Sequence, residues 1–540
     1  MRFAIPLLAV ILTALLPPVS RGAESKPAES KPNIILILAD DLGAKELGCY
    51  GNVKHRTPHL DRLAAQGTRF ETFFANPLCT PTRVALMTGQ YGFHNGFLGM
   101  SNAAFIPGKT SPKHQIGNHF THADLLRSAG YTTALAGKWQ LSGQLPDLVY
   151  DAGFDEYRMW AYDKNLPDSV RHPAHEDGGN ACRYWHPSIL ENGRYLPTKP
   201  EDYGPDLFND FVIDFARRNK SHPFFIYYTS VLTHSPHLHT PDPNTPGARK
   251  PATFQSNLEY LDHLMGRLLE ALEAELLAER TVIIFIGDNG TGGSGKGTLT
   301  ELGARTPCIL RGPGIKKGAV SRAVADLTDI FPTLADFSGA ALPQNHVLDG
   351  HSMLPVLRGE QSAHREWIYS HLDDGRVLRD SRWLLEIDKG GRKEQFFDCG
   401  ESRDGTGYKN VTDSEDPEAR DARLRFGRIL ASLPEPKPNR ENASLPAQNG
   451  PPDMPRKATA ADAVPDRERS ERAARFPKRD LDHDDRISLE EFLKTMTGSN
   501  KEAGKARFKN LDSNRDGFLT REEFIGPEGR EPKSPPAPAP

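Results

Sequence analysis

Between residues 33 and about 337, continuous apolar runs alternate with helical patterns, and this alternation restricts the fold more than any other feature of the chain. Residues 34–39 are apolar at every position, which is typical of a strand buried on both faces. The runs at Phe224–Thr229 and 281–286 are similar, and a long helical stretch at 258–277 separates them. Such alternation predicts an α/β fold, with a large, mixed and mostly parallel sheet flanked by helices.

The chain changes character after this α/β region. Short strand-like pieces with Asp-Gly and Gly-Gly turns between them predict a small antiparallel subdomain over residues 366–433. The next 32 positions hold eight prolines, which is typical of an extended linker. We therefore divide the chain into a signal peptide at 1–22, a large α/β domain at 33–365, the subdomain, a Pro-rich linker at 434–465, a charged helical module at 466–526 and a Pro-rich tail at 527–540.

Charge and hydropathy exclude two classes of protein. A net charge of −4 and a pI near 6.6 argue against a nucleic-acid-binding protein, whose surface would be basic. No apolar run approaches the roughly 20 residues that span a bilayer, so we expect no transmembrane segment. The N-terminus is typical of an export signal, because Arg2 precedes a short apolar stretch and Ser20 and Gly22 are small residues suited to cleavage. We predict an exported protein, periplasmic or extracellular.

Oxygen-bearing side chains follow two of the predicted buried strands. Asp40 and Asp41 come directly after the first run, and Asp288 and Asn289 follow the run at 281–286. Ligands bind beyond the carboxyl ends of strands in open α/β sheets, and four such oxygens suit a hard cation, Ca²⁺ or Mg²⁺. Spacing alone supports equally well the alternative that these residues cap the following helix or turn.

Cys79 is the second candidate for chemistry. The five cysteines are far apart, and their odd number leaves at least one outside intramolecular pairing in an exported chain. Cys79 stands just before a helical run that continues to Met87 and stops at Gly89, and a helix N-terminus favours a thiolate. Arg83 lies one turn further on. A disulfide or a buried core cysteine is the alternative interpretation.

The motif Cys79-x-Pro81-x-Arg83 resembles the signature of the type I, formylglycine-dependent sulfatases of the alkaline-phosphatase superfamily. The resemblance extends from about residue 33 to residue 420. Further motifs match that family in the same order, and the ordered set is far more specific than any one of them. These motifs lie at 33–43, 130–139, 233–237, 287–290, 296–307 and 396–398.

The resemblance implies a metal site and a nucleophile. Asp40, Asp41, Asp288 and Asn289, together with residue 79, would hold Ca²⁺, with Mg²⁺ as an alternative. A maturation enzyme would convert Cys79 into Cα-formylglycine, whose hydrate would supply the attacking hydroxyl.

The resemblance also implies roles for cationic and polar residues around that nucleophile. Arg83 would orient the hydrated formylglycine, while Lys138 and Lys296 would clamp sulfate oxygens. His234 would protonate the leaving alkoxide, and His237 would contact the substrate. Without the joint motif match, these lysines and histidines would be ordinary surface or loop residues.

Gln140 departs from the family pattern. The Gly-Lys-Trp motif of the family normally continues with a histidine, whereas this chain has glutamine in a position expected to bind substrate. Glutamine forms hydrogen bonds but does not act as a base near neutral pH. Three alternatives follow: another group such as His237 takes over, turnover is slow, or the usual reaction is lost.

Two segments near the C-terminus match the calcium-binding loop of the EF-hand. Each carries oxygen-bearing side chains at loop positions 1, 3, 5, 9 and 12, and Gly517 forms the sharp turn of the second loop. Asp485 replaces that glycine in the first loop, so its occupancy stays open. The Ca²⁺ ligands would include Asp480, Asp482, Asp484 and Glu491 in the first loop and Asp512, Asn514, Asp516 and Glu523 in the second.

The leading functional hypothesis is a sulfuric ester hydrolase that acts on a sulfated carbohydrate or another organic sulfate. One alternative is a formylglycine-dependent phosphonate or phosphate monoester hydrolase, which would share the nucleophile and the metal. The other is a non-catalytic sulfatase-like protein that binds sulfated glycans, and Gln140 is the residue that keeps this alternative open.

Overall fold

A computed structural model describes residues 31–100, 116–141, 149–161, 182–403 and 405–434, and further on residues 484, 486–494, 508, 511, 517–521 and 524. The predicted signal peptide at 1–22, most of the linker at 434–465 and the tail at 527–540 lie outside these residues. Within the described part of the chain, no helix combines the length and apolar character needed to cross a membrane.

A ten-stranded mixed sheet forms the centre of the molecule, as the strand–helix alternation predicted. Its strand order is β12-β2-β11-β10-β1-β7-β3-β4-β5-β6, and five of the nine neighbouring pairs are parallel. Two further strands, β8 and β9, pair as a separate ribbon. The strands up to this point are β1 (Asn33–Ala39), β2 (Thr68–Phe74), β3 (Thr132–Gly137), β4 (Glu156–Trp160), β5 (Ile189–Glu191), β6 (Arg194–Leu196), β7 (Phe224–Thr229), β8 (Thr240–Pro241), β9 (Arg249–Lys250), β10 (Thr281–Gly287), β11 (Cys308–Arg311) and β12 (Ala319–Asp326).

Strand β1 occupies the middle of the sheet, between β10 and β7. All seven of its residues are buried, and six of them are apolar, because helices cover both faces of the sheet. The β1–β10 pair is parallel, and Ala39 lies beside Gly287 at its carboxyl end. The residues that follow the two strands therefore emerge side by side.

Helices surround this sheet. The longest, α6, begins four residues before the predicted stretch, because the Thr253 side chain accepts a hydrogen bond from Ser256 N and caps it. It also ends earlier, before Leu276, whose φ of 59° is left-handed and leaves the helical path. The helices are α1 (Pro58–Ala65), α2 (Cys79–Thr88), α3 (Gly92–Asn95), α4 (His122–Ser128), α5 (Gly204–Arg218), α6 (Phe254–Ala274), α7 (Glu301–Ala304), α8 (Ile330–Ser338), α9 (Leu354–Leu357) and α10 (Pro417–Ser432).

The small C-terminal subdomain is a five-stranded antiparallel sheet on which α10 packs, as the sequence predicted. It contacts the segment that leads into α2: Ser370 Oγ donates to Ala75 O at 2.7 Å, and His371 N donates to Asn76 Oδ1 at 3.0 Å. The sheet therefore supports the backbone just before Cys79. Its strands are β13 (Ile368–Leu372), β14 (Gly375–Arg379), β15 (Trp383–Ile387), β16 (Glu394–Asp398) and β17 (Lys409–Asn410).

Within the charged module, the structure describes two short strands and one helix. Strands β18 (Arg486–Ser488) and β19 (Phe518–Thr520) pair antiparallel, and α11 (Leu489–Lys494) follows β18. Buried apolar side chains pack around the pair: Ile487, Phe492, Phe508, Leu519 and Phe524. Of the predicted EF-hand ligands, Asp484 and Glu491 are described, whereas Asp480, Asp482, Asp512, Asn514, Asp516 and Glu523 lie outside the described residues.

Candidate active site

The four predicted oxygen ligands lie together at the carboxyl ends of β1 and β10. Asp40, Asp288 and Asn289 are fully buried, and Asp41 is 2% exposed. Asp41 N donates to Asp288 Oδ1 at 2.9 Å, and Asn289 Nδ2 donates to Asp41 Oδ1 at 2.9 Å. Asp41 has a φ of 60°, a left-handed conformation that aspartate tolerates better than most residues. These residues thus form one cluster, as their positions after neighbouring parallel strands predicted.

Arg83 and Lys138 provide the positive charge next to this cluster. Arg83 Nη2 lies 3.0 Å from Asp288 Oδ2 and 3.8 Å from Asp40 Oδ1, and its Nη1 donates to Lys138 O at 3.0 Å. Lys138 Nζ lies 2.9 and 2.8 Å from the two oxygens of Asp40. Arg83 and Lys138 are almost fully buried, so Lys138 is not the plain surface lysine of the alternative interpretation.

Gly137 allows the chain to place Lys138 at this point. Its φ is 101°, and a side-chain Cβ at this position would lie 1.9 Å from Thr229 O on the neighbouring strand β7. Lys138 N donates to that same carbonyl at 2.8 Å. Only glycine permits both the positive φ and the close approach to Thr229 O. Gly137 at the end of β3 therefore allows Lys138 to lie in the cluster.

Cys79 is the first residue of α2, whereas the sequence placed it just before the helix. The N-cap residue is Leu78, which has no side-chain hydrogen bond to the helix, so no polar residue marks the boundary. The helix ends at Gly89, as predicted, with a φ of 67°. Cys79 is 1% exposed and forms no disulfide bond, which excludes the disulfide alternative in this structure.

Lys296 contacts the cluster through Asp41. Its Nζ lies 2.7 and 2.8 Å from the two oxygens of Asp41. The next residue, Gly297, donates from N to Pro77 O at 2.7 Å, which links the Lys296 loop to the segment preceding Cys79. Burial lowers the pKa of the Lys296 ammonium, but the negative charges of Cys79, Asp40 and Asp41 outweigh it and raise the pKa.

His234 lies at the more exposed edge of the cluster, with 22% of its side chain accessible. Its Nε2 is 3.8 Å from Asp41 Oδ2. Thr233 fixes the preceding backbone, because its N donates to Asp40 O at 2.6 Å and its Oγ1 lies 3.3 Å from the carbonyls of Asp40 and Asp41. The structure thus brings His234 close to Asp41, one of the predicted metal ligands.

Gln140 and His237 lie in different surroundings. Gln140 is 9% exposed with a φ of 53°, and its Oε1 is buried without a hydrogen-bond partner in the described structure. His237 packs edge-on against Phe254, with ring centroids 5.5 Å apart. A role for His237 in substrate contact remains a prediction.

Burial and neighbouring charges shift the pKa values of Asp40, Asp288 and His234 in different directions. Burial would raise the pKa of Asp40, but the positive charges of Lys138, Arg83 and Lys296, with that of His234 where it is protonated, hold it well below its usual range. Burial, reinforced by Asp40, raises the pKa of Asp288 to about 7, although Arg83 opposes this. Burial lowers the pKa of His234 to about 4, and the negative charge of Asp40 only partly offsets it. Of the two carboxyl groups, Asp40 is therefore the one that stays ionised to the lower pH.

The donor set fits a hard divalent cation. Ligand atoms of Asp40, Asp41 and His234 lie within 4.8 Å of one another. Asn289 Oδ1 is fully buried, and among the described residues it has no hydrogen-bond partner, although a buried amide oxygen normally has one. A cation bound by the carboxylates would satisfy this oxygen, and carboxylate and amide oxygens are the ligands that Ca²⁺ and Mg²⁺ prefer.

Sequence reasoning missed Arg183 and Tyr184, which contact His234. Arg183 Nη2 lies 3.0 Å from His234 Nδ1, and Tyr184 Oη donates to His234 O at 2.5 Å. Both belong to a loop without periodicity, where sequence patterns carry little information. The one available signal was the unusual run of a cation and two aromatics, Arg183-Tyr184-Trp185.

A model of the sulfatase family matches residues 32–340, which is more than half of the chain. The chain belongs to the sulfatase family. Human arylsulfatase A (Homo sapiens) is 33% identical over an alignment that covers 69% of this chain and 76% of that protein. Mouse steryl-sulfatase (Mus musculus) is 30% identical over an alignment that covers 70% of this chain and 73% of that protein. This sulfatase is therefore a sulfuric ester hydrolase.

Solved structures agree with this fold. Ps i-CgsB, also solved in complex with k-i-k-neocarrahexaose, aligns with a TM-score of 0.62 at 26% identity and covers 75% of this chain and 94% of its own. The phosphonate monoester hydrolase of Agrobacterium radiobacter aligns with a TM-score of 0.55 at 19% identity, which shows a shared fold alone. Sulfatases generally use a formylglycine and a divalent metal, and the acidic cluster of this chain is a candidate for that metal site.

Proposed function

We propose that this sulfatase hydrolyses its ester at the cluster of Asp40, Asp41, Asp288 and Asn289, with residue 79 as the nucleophile. The observation that carries the proposal is the convergence of these four oxygen ligands with buried cations beside the first residue of α2. Asp40 interacts with Lys138, Asp288 with Arg83 and Asp41 with Lys296, so negative and positive charges alternate across the site. A site of this kind suits the trigonal-bipyramidal, negatively charged transition state of sulfuryl transfer, because its dipoles and charges are already oriented.

Asp40, Asp41, Asp288 and Asn289 would hold the cation, with residue 79 completing the set. When bound, Ca²⁺ or Mg²⁺ would draw negative charge from the sulfate oxygens. Cys79 would be converted into Cα-formylglycine by a maturation enzyme, and the hydrate of this group supplies a hydroxyl nucleophile. Arg83 would orient residue 79, because its guanidinium is fixed between Asp288 and the Lys138 carbonyl.

Two lysines and one histidine would act on the substrate. Lys138 is nearly inaccessible, whereas 21% of the Lys296 side chain is exposed, so Lys296 would meet the incoming sulfate first. His234 would give a proton to the leaving oxygen from Nε2, because the negative charge of a bound sulfate favours the imidazolium form that this step requires. Gln140 would contribute hydrogen bonds only, and we therefore propose slower turnover than a histidine at that position would permit.

We propose a sulfated carbohydrate as the substrate. Relatives named N-acetylgalactosamine-6-sulfatase, such as the human protein at 31% identity, and the carrageenan-oligosaccharide complex of Ps i-CgsB support this choice. We further propose that residues 1–22 direct export to the periplasm or the cell exterior. The division into domains at residues 365, 433, 465 and 526 remains part of the proposal.

We also propose that residues 466–526 form an EF-hand pair that binds Ca²⁺. The two loop motifs support this, and so does the pairing of β18 with β19, which joins segments 32 residues apart in the two loops. Glu491 Oε2 accepts hydrogen bonds from Ser488 N and Ser488 Oγ at 2.8 Å each, which fixes a carboxylate at the last loop position.

Mass spectrometry of the peptide that contains residue 79, from protein made in its native host, tests the nucleophile. We expect the mass of formylglycine, hydrolysis of phenyl sulfate and a much slower reaction with phenyl phosphate or a phenyl phosphonate. Cys79→Ser removes the modification and the activity, whereas Cys308→Ser, at another fully buried cysteine, keeps both. An unmodified Cys79 in a host that matures other sulfatases would contradict the proposal, as would a preference for the phosphorus esters.

A further inference from the structure

Arg183 contacts His234 on the side of the imidazole that faces away from the acidic cluster. Its Nη2 lies 3.0 Å from His234 Nδ1 and also donates to the carbonyl of Ser235. His234 Nδ1 lies 2.5 Å from that same carbonyl oxygen. Whichever tautomer the ring adopts, Nδ1 is therefore occupied by the protein. Nε2 is the ring nitrogen that faces Asp41, at 3.8 Å.

The position of Arg183 is well defined by its neighbours. The residue is 7% exposed, and its guanidinium carbon lies 5.0 Å from the centre of the Trp160 ring and 5.2 Å from that of Tyr184. Stacking against aromatic faces restricts the guanidinium plane without using its hydrogen-bond donors. Trp160 is the last residue of β4, so a strand of the central sheet supports the arginine.

Tyr184 holds the backbone of the same histidine. Its hydroxyl lies 2.5 Å from His234 O and 3.1 Å from Val231 O, and the residue is fully buried. Gly204 N in turn donates to Tyr184 O at 2.7 Å, at the start of α5. Two consecutive residues thus fix His234 in different ways: Arg183 contacts its ring and Tyr184 contacts its main chain.

We propose that Arg183 is a positioning residue for the proton donor, which holds the His234 ring so that Nε2 points at the leaving oxygen of the sulfate ester. The proposal rests on the role of His234 put forward above. In the step concerned, the hydroxyl oxygen of residue 79 forms a bond to sulfur while the S–O bond to the leaving group breaks. The leaving oxygen keeps the electron pair of the broken bond and takes the proton from Nε2 of the His234 imidazolium, which becomes a neutral imidazole. Arg183 itself transfers nothing and does not touch the substrate.

This role predicts a dependence on the leaving group. An alkyl sulfate releases a strongly basic alkoxide that needs the proton, whereas 4-nitrophenyl sulfate releases a stabilised phenolate that does not. In Arg183→Lys and Arg183→Met, we expect kcat for an alkyl sulfate such as a hexose 6-sulfate to fall about 10- to 100-fold, the usual effect of losing a supporting hydrogen-bond partner. We expect kcat for 4-nitrophenyl sulfate to change less than about 3-fold, and KM for both to stay near the unsubstituted value.

Arg249→Met is the matched control. Arg249 also stacks on an aromatic ring of this region, 3.8 Å from the centre of Trp185, but it is exposed, and we expect equal effects on both substrates. A uniform rise in KM for the Arg183 variants would show that Arg183 binds the sulfate or the sugar, and it would overturn the proposal. An equal fall in kcat for both substrates would also overturn it.

His234→Ala separates this inference from the proposed function. If His234→Ala loses activity mainly on the alkyl sulfate while the Arg183 variants do not, the histidine is the proton donor and Arg183 does not position it. If His234→Ala affects both substrates equally, the proton-donor assignment itself is wrong. Nitrogen-15 NMR of histidine in the unsubstituted enzyme provides a further test that needs no Arg183 variant to fold. Added inorganic sulfate should shift Nε2 of His234, whereas a shift confined to Nδ1 would refute the orientation.

Discussion

Arg83→Met removes the positive charge that two buried carboxylates share. The guanidinium lies 3.0 Å from Asp288 and 3.8 Å from Asp40, and all three side chains are at most 1% exposed. Removing one partner of a buried ion pair costs about 3–5 kcal/mol of unfolding free energy, because the remaining charge stays in a medium that does not solvate it. We expect a loss of this size in Arg83→Met when no divalent metal is present and the pH is well above the Asp288 pKa of about 7, so that this carboxylate is ionised.

The loss converts into a measurable change in unfolding temperature. The roughly 400 residues from 32 to 434 unfold with an entropy of about 0.84 kcal/mol/K, so a loss of 3–5 kcal/mol lowers Tm by about 4–6 °C. Thermal unfolding followed by circular dichroism in excess chelator measures this shift. Met resembles arginine in the length of its apolar stem, so most of the packing is retained.

Arg217→Met is the appropriate comparison for that experiment. Arg217 Nε also lies close to a carboxylate, 2.7 Å from Glu275, but 54% of the arginine side chain is exposed to water. Water compensates the charge that remains, so we expect an almost unchanged Tm. If the two variants shift Tm equally, burial does not govern the cost, and the argument from unpaired charge in the candidate active site is wrong.

Three further predictions concern Gln140, Asn289 and the buried His122 of α4. Gln140→His is expected to raise kcat at least about 10-fold, because histidine adds the base that glutamine lacks, and steady-state rates with phenyl sulfate measure it. Asn289→Ala is expected to raise the Ca²⁺ concentration for half-maximal activity of the chelator-treated enzyme at least about 10-fold, because a buried amide oxygen is lost from the ligand set. Burial lowers the pKa of His122 from 6.5 to about 3, so the unfolded chain binds the extra proton first, and stability is lost as pH falls below 6.5. Urea unfolding should therefore show His122→Phe losing about 2 kcal/mol less than the unsubstituted protein between pH 6.5 and pH 5.

Each of these predictions has its own control. Gln140→Leu removes the polar group without adding a base, and a rate equal to that of Gln140→His would exclude the base as the cause. Asn219→Ala removes a side chain whose Nδ2 donates to Phe215 O at the end of α5, and it should leave the Ca²⁺ dependence unchanged. His239→Gln replaces an exposed histidine. If its unfolding free energy changes with pH as that of His122→Phe does, burial of His122 is not the cause of the effect.

The clustering of Asp40, Asp41, Asp288 and Asn289 could be predicted from the sequence because sheet geometry is regular. Two apolar runs that are long enough to be buried strands end in Asp40-Asp41 and Asp288-Asn289, and neighbouring parallel strands present their carboxyl ends at one edge. The contact between Asn289 and Asp41 follows, although 248 positions separate them in the sequence. No side-chain conformation had to be known for this prediction.

The remaining details depended on tertiary contacts. The start of α2 was misplaced by one residue because Leu78 gives no capping signal, and the close approach of Pro77 to Gly297 fixes the backbone there instead. Arg183 could not be assigned because its contact with His234 comes from an irregular loop stacked on Trp160. Periodicity describes the faces of helices and strands, whereas such a loop is positioned by the surface on which it packs.

The hydrogen bond from Ser370 to the Ala75 carbonyl has a consequence for the timing of biosynthesis. The two residues are 295 positions apart, and at roughly 5–20 residues per second a ribosome needs about 15–60 s to make the intervening chain. During that interval, the segment that leads to Cys79 lacks the strand that later supports it. Because the mature fold leaves Cys79 only 1% exposed, an enzyme that modifies this thiol has most of its opportunity while the chain is still being synthesised.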